Sequence, residues 1–186
     1  MANFTSKAIK ASFLKLLNEK PLNKISVKDI VEDCGINRNS FYYHFQDIPA
    51  LLEEMIREKA AEIIAKYPEI NSLEDFFSAA FEFARSNQRA ALHIYQSVSR
   101  DVFEAELMKL CQDLVTRYAD TAFPDLDIND TDRRVLIQFI KCECFGLLID
   151  WLNGGMQEAA LDDLLRITEL CKGMSNELIR RAEQKA

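Results

Sequence analysis

Between Asn37 and His44 the chain reads NRNSFYYH, a run dense in side chains that donate hydrogen bonds to a polyanion. Arg38 offers a forked pair of donors for guanine or phosphate, and Asn39 matches the edge of adenine. Ser40, Tyr42, Tyr43 and His44 can donate to phosphate oxygens. At about 100° per residue, Phe41 and Phe45 share one face of a helix while Asn39 and Tyr43 fall on the opposite one. The chemistry of that outward face is the reading of a DNA groove. The competing explanation, that these aromatics pack against a neighbouring helix, accounts less well for two consecutive tyrosines on so short a helix.

The flanking residues are those needed to hold such a helix in place. Ser26 is placed to cap a preceding helix, with Asp29 in the acidic position of a capping box and Val27, Ile30, Val31 and Cys34 on one apolar face. Gly35 supplies the turn, Ile36 drops towards the core, and Asn37 caps a second helix of about two turns. The pattern is a helix-turn-helix. Lys24 and Lys28, beside the start of the helix that crosses the DNA backbone in this motif, are the expected phosphate contacts, together with Ser26 and Asn37 at the two helix starts. Ahead of the motif, Thr5 is expected to cap a helix whose Ile9, Phe13, Leu16 and Leu17 cover it, leaving Lys7, Lys10 and Lys15 to solvent or DNA.

From Thr5 to about Ile56, through SVKDIVEDCGINRNSFYYHF and DIPALLEEMI, the chain resembles the DNA-binding domain of the TetR family of bacterial transcriptional regulators. Gly35 matches the glycine of that family's turn. Tyr42 or Tyr43, His44 and Phe45 match the tyrosine, histidine and phenylalanine of its recognition helix. The resemblance implies an all-α protein in which an N-terminal helix-turn-helix domain, residues 1–46, joins a helical ligand-binding and dimerisation domain, residues 47–186, through a connecting helix over 47–67. It also implies a homodimer on a palindromic operator, with repression the commoner outcome and activation the other. Many members carry a phosphate-holding lysine at the start of the connecting helix. Here that place is Ile48, followed by Pro49, which leaves the backbone N–H groups of the first turn as anion donors. A rival reading follows from the departure: a co-regulator module of the same fold that has lost specific DNA binding.

Composition agrees with a helical protein, since 186 residues at 48% hydrophobic composition suffice for a core, and five glycines with four prolines leave few turns. The net charge of −7 is unevenly spread: residues 1–46 hold seven basic and four acidic residues, so the head carries +3 and the rest −10. DNA is thus drawn to one end. Five cysteines, with neither a signal peptide nor a membrane-length apolar run, predict free thiols in a reducing cytoplasm. The segment from Leu136 to Leu152 contains Lys141, Glu143 and Asp150 and reads as a buried helix.

The body is expected to hold helices over 72–86, 89–97, 101–119, 131–153 and 158–181, with TAFPDLDINDTD as a polar loop lacking the glycine and glutamate of an EF-hand. Its aromatics admit two readings, core packing or the lining of a cavity for an apolar or aromatic ligand. The candidates for lining are Phe77, Phe81, His93, Tyr95, Phe103, Tyr118, Phe145 and Trp151. The last two helices carry more apolar surface than one buried face needs. Phe139, Phe145, Leu148 and Leu152 on the first, and Leu161, Leu164, Leu165, Thr168, Cys171 and Leu178 on the second, are the expected dimer interface.

Catalysis is not indicated. Two histidines, one of them in the recognition helix, and the lack of a nucleophile elbow or phosphate loop leave no convergent reactive set. Cys142 and Cys144, two apart on a helix, point about 200° away from each other and cannot share a metal. No cofactor, metal or membrane partner is expected.

Overall fold

The computed structural model describes residues 2–68, 87–122, 129–157, 159–171 and 173–183. Every regular element among them is helical. The order is α1 (Ala2–Glu19), a 3-10 turn (Leu22–Lys24), α2 (Val27–Cys34), α3 (Arg38–His44), α4 (Ile48–Lys66), α5 (Gln88–Tyr95), α6 (Arg100–Ala122), α7 (Asp130–Asn153), α8 (Ala159–Leu170) and α9 (Met174–Glu183). Two compact units divide the chain: Met1–Glu62 with Phe83–Glu106, and Ile63–Glu82 with Leu107–Ala186. Two of the three dividing points fall inside α4 and α6, and the sequence suggests a boundary after residue 46.

In the first unit, α1 packs against α2, α3 and α5. Its apolar stripe, Ile9, Phe13 and Leu17, is buried with Ile30, Phe41, Leu51 and Leu52. Each such side chain contributes about 1.5–3 kcal/mol by leaving water. Polar ties fix the register of α1. The buried Ser12 hydroxyl donates to the Ile30 carbonyl at 3.2 Å, and His93 Nδ1 lies 2.7 Å from the Leu17 carbonyl, so that nitrogen donates.

Of the lysines on α1, Lys7 and Lys15 are exposed as expected and Lys10 departs from expectation. Lys10 is not solvated: its side chain is 15% exposed, its ammonium lies 2.7 Å from Glu54 and 2.6 Å from Glu58 on α4, and it sits over the Phe45 ring. Lys15 pairs with Asp33 on α2. Burial works against the charge of Lys10, but hydrogen bonds and charge from both glutamates outweigh it and hold the pKa above 10.5.

Several boundaries move. Thr5 lies inside α1, because the helix already begins at Ala2. The single helix expected over 158–181 is two, α8 and α9, interrupted at Gly173, whose φ of +86° no helix accommodates. Asn129, ahead of the expected start, caps α7 by accepting from the Asp132 N–H at 3.0 Å. The helix expected over 72–86 and most of the polar loop lie outside the described residues.

In the second unit, α7 turns Ile137, Cys144, Leu148, Trp151 and Leu152 inward, and α6 contributes Leu110, Cys111 and Leu114. Burial pushes the Cys111 thiol up to about 12 and the Cys144 thiol up as well, so both stay protonated. Trp151 Nε1 donates to the Gln157 carbonyl at 3.1 Å, closing the end of α7.

Gly35 adopts φ +70° with open space where a Cβ would stand. Gly35→Ala therefore meets no clash and loses only the backbone preference. Urea denaturation should show a loss of about 1–2 kcal/mol, and Gly35→Asn a smaller one. A second expectation concerns pH. Because the folded pKa of Lys10 is raised, its contribution is complete below the unfolded lysine value and disappears as pH climbs through the folded one. The difference in melting temperature between wild type and Lys10→Met should thus persist through neutral pH and shrink above about 10.5.

Candidate nucleic-acid interface

The interface is built from the ends of α2 and the whole of α3. Ser26 begins α2 with a complete capping box: its hydroxyl accepts from the Asp29 N–H at 3.3 Å, and Asp29 Oδ2 takes the Ser26 N–H and hydroxyl, each at 2.8 Å. Hydrogen bonds from the Ser26 hydroxyl and N–H, with Lys20 adding to them, hold the Asp29 carboxyl below the usual range. Ser26 is thereby committed to its own helix, and a phosphate would have to displace a carboxylate to reach its N–H. At the other end of α2, the Gly35 N–H returns to the Val31 carbonyl and so does that of Ile36, at 3.0 Å. The chain is left extended at Asn37.

Asn37 starts α3. Its Oδ1 accepts from the Ser40 N–H at 2.9 Å and from the Ser40 hydroxyl at 3.1 Å, leaving the Asn37 amide N–H groups as its outward donors. The two faces of the helix then separate: Phe41 is 0% exposed and Tyr43 80% exposed, with Phe45 buried and Tyr42, Arg38 and Asn39 exposed. The aromatic rings are fixed edge to face, Phe41 with Tyr42 at 5.5 Å and Tyr43 with His44 at 5.1 Å between centroids. Such contacts hold the tyrosine rings at defined angles on a short helix. Half-buried His44 stands in the last turn, beside Phe45.

Arg38, Asn39, Tyr42 and Tyr43 thus form one exposed patch on a single helix, with donors for base edges and phosphates. Lys24 is exposed in the 3-10 turn just before Ser26. Lys28 is exposed in the first turn of α2 and only loosely paired with Glu32 at 3.7 Å, so it can swing to a phosphate.

The start of α4 behaves differently. Asp47 caps it, its Oδ1 accepting from the Ala50 N–H at 2.8 Å and its carbonyl from the Leu51 N–H at 3.2 Å. Pro49 has no N–H, so only that of Ile48 is left for an outside acceptor, next to a carboxylate. The expected backbone anion site is largely closed. The signal for this lies in the sequence, an aspartate directly before a helix with proline in its first turn.

The described residues considered for ligand binding are divided between the two units. Phe77 and Phe81 lie outside the described residues. His93, Tyr95 and Phe103 belong to the first unit. There His93 is tied to Leu17, and Tyr95 stacks edge to face on Phe103 with the Arg100 guanidinium 4.2 Å from the Tyr95 ring centroid. Tyr118, half-buried Phe145 and buried Trp151 belong to the second.

On α7, Leu148 is 2% exposed and Leu152 equally buried, both packed inside the chain itself, whereas Phe139 is 45% exposed. The outward stripe of α7 is Val135, Gln138, Phe139, Cys142 and Gly146. Cys171 and Leu178 are half-buried, and the side chains of Leu161, Leu164, Leu165 and Thr168 lie outside the described residues. Cys142 is exposed and Cys144 buried, on opposite sides as their spacing requires, and among the described residues no three potential ligands could hold a metal. No helix among them is long and apolar enough to cross a membrane.

Comparison with known proteins bears on the same residues. Over 132 residues the chain is 28% identical to the HTH-type transcriptional repressor KstR2 of Mycolicibacterium smegmatis, covering 60% of this chain and 64% of that protein. Over 113 residues it is 26% identical to KstR2 of Rhodococcus jostii, covering 56% and 55%. The chain thus spans a little under two thirds of the length of the first of these relatives and just over half of the second. Among solved structures, the dihydroxyacetone kinase operon activator DhaS has the same fold, with a TM-score of 0.67 over 89% of this chain and 97% of that one at 18% identity. Residues 12–55, which contain α2 and α3, match the bacterial regulatory proteins of the tetR family, and residues 71–173 match a transcriptional regulator C-terminal region. With the second match alone spanning more than half of the chain, and with a recognition helix built as described, the protein belongs to the TetR family of DNA-binding transcriptional regulators and is not an enzyme.

Proposed function

We propose that the protein is a cytoplasmic repressor that binds a palindromic operator as a homodimer, each copy placing α3 in the major groove, with DNA affinity controlled by a small apolar or aromatic molecule. The observation that carries this is the division of α3 into a buried Phe41 face and an exposed face of Arg38, Asn39, Tyr42 and Tyr43. Lys24 and Lys28 supply phosphate contacts beside it, and Ser26 and Asn37 hold the two helix starts in position. The sense of regulation is supported by the two relatives named as repressors. Dimerisation is supported by the apolar residues left outward on α7 and α8, Val135, Phe139, Ile167 and Leu170. A second reading, a co-regulator that has lost specific DNA binding, is favoured only by the closed start of α4 at Asp47 and Pro49.

Selection of bound sequences from random duplex DNA by the purified protein tests the first reading against the second. It should return two inverted half-sites bound about a thousandfold or more tighter than random DNA. Recovery of no preferred sequence would favour the co-regulator. On the selected site, Arg38→Ala and Tyr43→Ala should each lower affinity about tenfold or more. Their melting temperatures should stay at the wild-type value, because both side chains are exposed.

Phe139→Glu places a charge in the outward stripe of α7. It should convert the dimer to a monomer in sedimentation equilibrium and weaken operator binding with it. A monomeric wild type at micromolar concentration would remove both the interface and the palindrome.

A further inference from the structure

Most cations of the head already have an acidic partner. Lys10 is held by Glu54 and Glu58, Lys15 by Asp33 and Lys20 by Asp29 at 3.3 Å, while Lys28 is loosely paired with Glu32. Among the described residues up to 46, the lysines and arginine left without a carboxylate are Lys7, Lys24 and Arg38. Arg38 stands on α3 and Lys24 just ahead of α2, but Lys7 is exposed on α1, outside the helix-turn-helix. Its isolation is written in the sequence: Phe4, Lys10 and Ala11 are its neighbours on the helix surface, and the first acidic residue of the chain is Glu19.

The course of α1 places this free charge. The Lys20 pair with Asp29 puts the C-terminal end of α1 beside the start of α2, and the Lys10 ammonium lies 5.7 Å from the centre of the Phe45 ring, at the end of α3. Thus α1 crosses the head from the end of α3 to the start of α2. Lys24 follows one end of this bar and Lys7 stands towards the other, separated from Glu19 by about 18 Å of helix at about 1.5 Å per residue. A helix lying in the major groove, about 12 Å wide, has a row of phosphates on each side. The start of α2 serves one side. On the other, the start of α4 holds no cation and carries the Asp47 carboxylate in its cap.

We propose that Lys7 is a further DNA contact, holding a phosphate on the strand across the major groove from the one met by Lys24. The inference rests on the reading of α3 as the helix that enters the groove. An ammonium on a four-carbon stem suits the task, since it meets a phosphate as a point charge from a helix that stays outside the groove. The grip that the start of α4 does not give is thereby supplied by α1.

The test uses the full chain and two duplexes, the sequence returned by selection and an unrelated one, over a range of salt concentrations. Lys7→Gln should lower affinity about fivefold or more on both, because phosphates carry no sequence, and should reduce the slope of log K against log salt by about 0.9 per head. Lys7→Arg should restore both, and the melting temperature should not move, the side chain being exposed. Lys15→Gln removes the same charge from the same helix, so an effect as large as that of Lys7→Gln would assign the loss to net charge and overturn the contact. Replacing single phosphates of the selected duplex by uncharged methylphosphonates locates the grip. One position should weaken the wild type and leave Lys7→Gln unaffected, on the opposite strand from the position that loses its effect in Lys24→Gln. No such position, or one on the same strand, would overturn the inference. If selection returns no preferred sequence while Lys7→Gln still weakens binding to the unrelated duplex, the operator reading falls and the contact stands. Specific binding that Lys7→Gln leaves unchanged gives the reverse, and a wild type that binds no duplex overturns both.

Discussion

A helix of seven residues does not persist in water by itself, because the cost of nucleating it exceeds what so few backbone hydrogen bonds return. The exposed face of α3 exists only because its other face is anchored. Phe41 and Phe45 are buried on one side, Asn37 closes the first turn, and the left-handed residue at Gly35 sets where the helix begins. The outward side chains of α3 are therefore carried by the packing of its buried face. The remainder of the first unit extends that arrangement: α1 lies across α2 and α3 through Ile9, Phe13 and Ser12, and α4 is held to α1 through Lys10.

What could be read in advance follows from how local each feature is. The capping box at Ser26, the turn at Gly35 and the cap at Asn37 each involve groups three or four residues apart, so residue type and spacing determined them. The outward side of α3 was legible for the same reason, since two phenylalanines four apart fix the orientation of everything between them. Thr5 shows the limit of the method: a good capping residue does not stop a helix from starting earlier. At Gly173 an apolar stripe continued across a break, because helical periodicity can resume in phase after an interruption.

Features that depend on distant partners were not legible. Lys10 reads as a solvated lysine until Glu54 and Glu58, 44 and 48 residues away, are brought beside it, and His93 meets the Leu17 carbonyl across 76 residues. The same cause left the inner and outer sides of α7 undivided. An apolar girth predicts surplus contact surface, but only packing decides that Leu148 and Leu152 face inward and Phe139 outward. Sequence registered that aromatics were plentiful between Phe76 and Trp151. It could not register that Tyr95 and Phe103 stack in one unit while Tyr118 and Trp151 belong to the other.

The Lys10 ties have a consequence for the response to ionic strength. Contacts between exposed lysines and phosphates weaken as counterions compete for the DNA, whereas an ammonium largely enclosed between two helices is screened far less. On the proposed reading Lys24 and Lys28 belong to the first kind, and Lys10 belongs to the second. If Lys24 and Lys28 hold phosphates as proposed, added salt weakens that grip more than it weakens the Lys10 ties, and the protein leaves DNA with α3 still folded. A cell that changes its internal potassium changes how long such a protein stays on DNA without changing how much of it is folded.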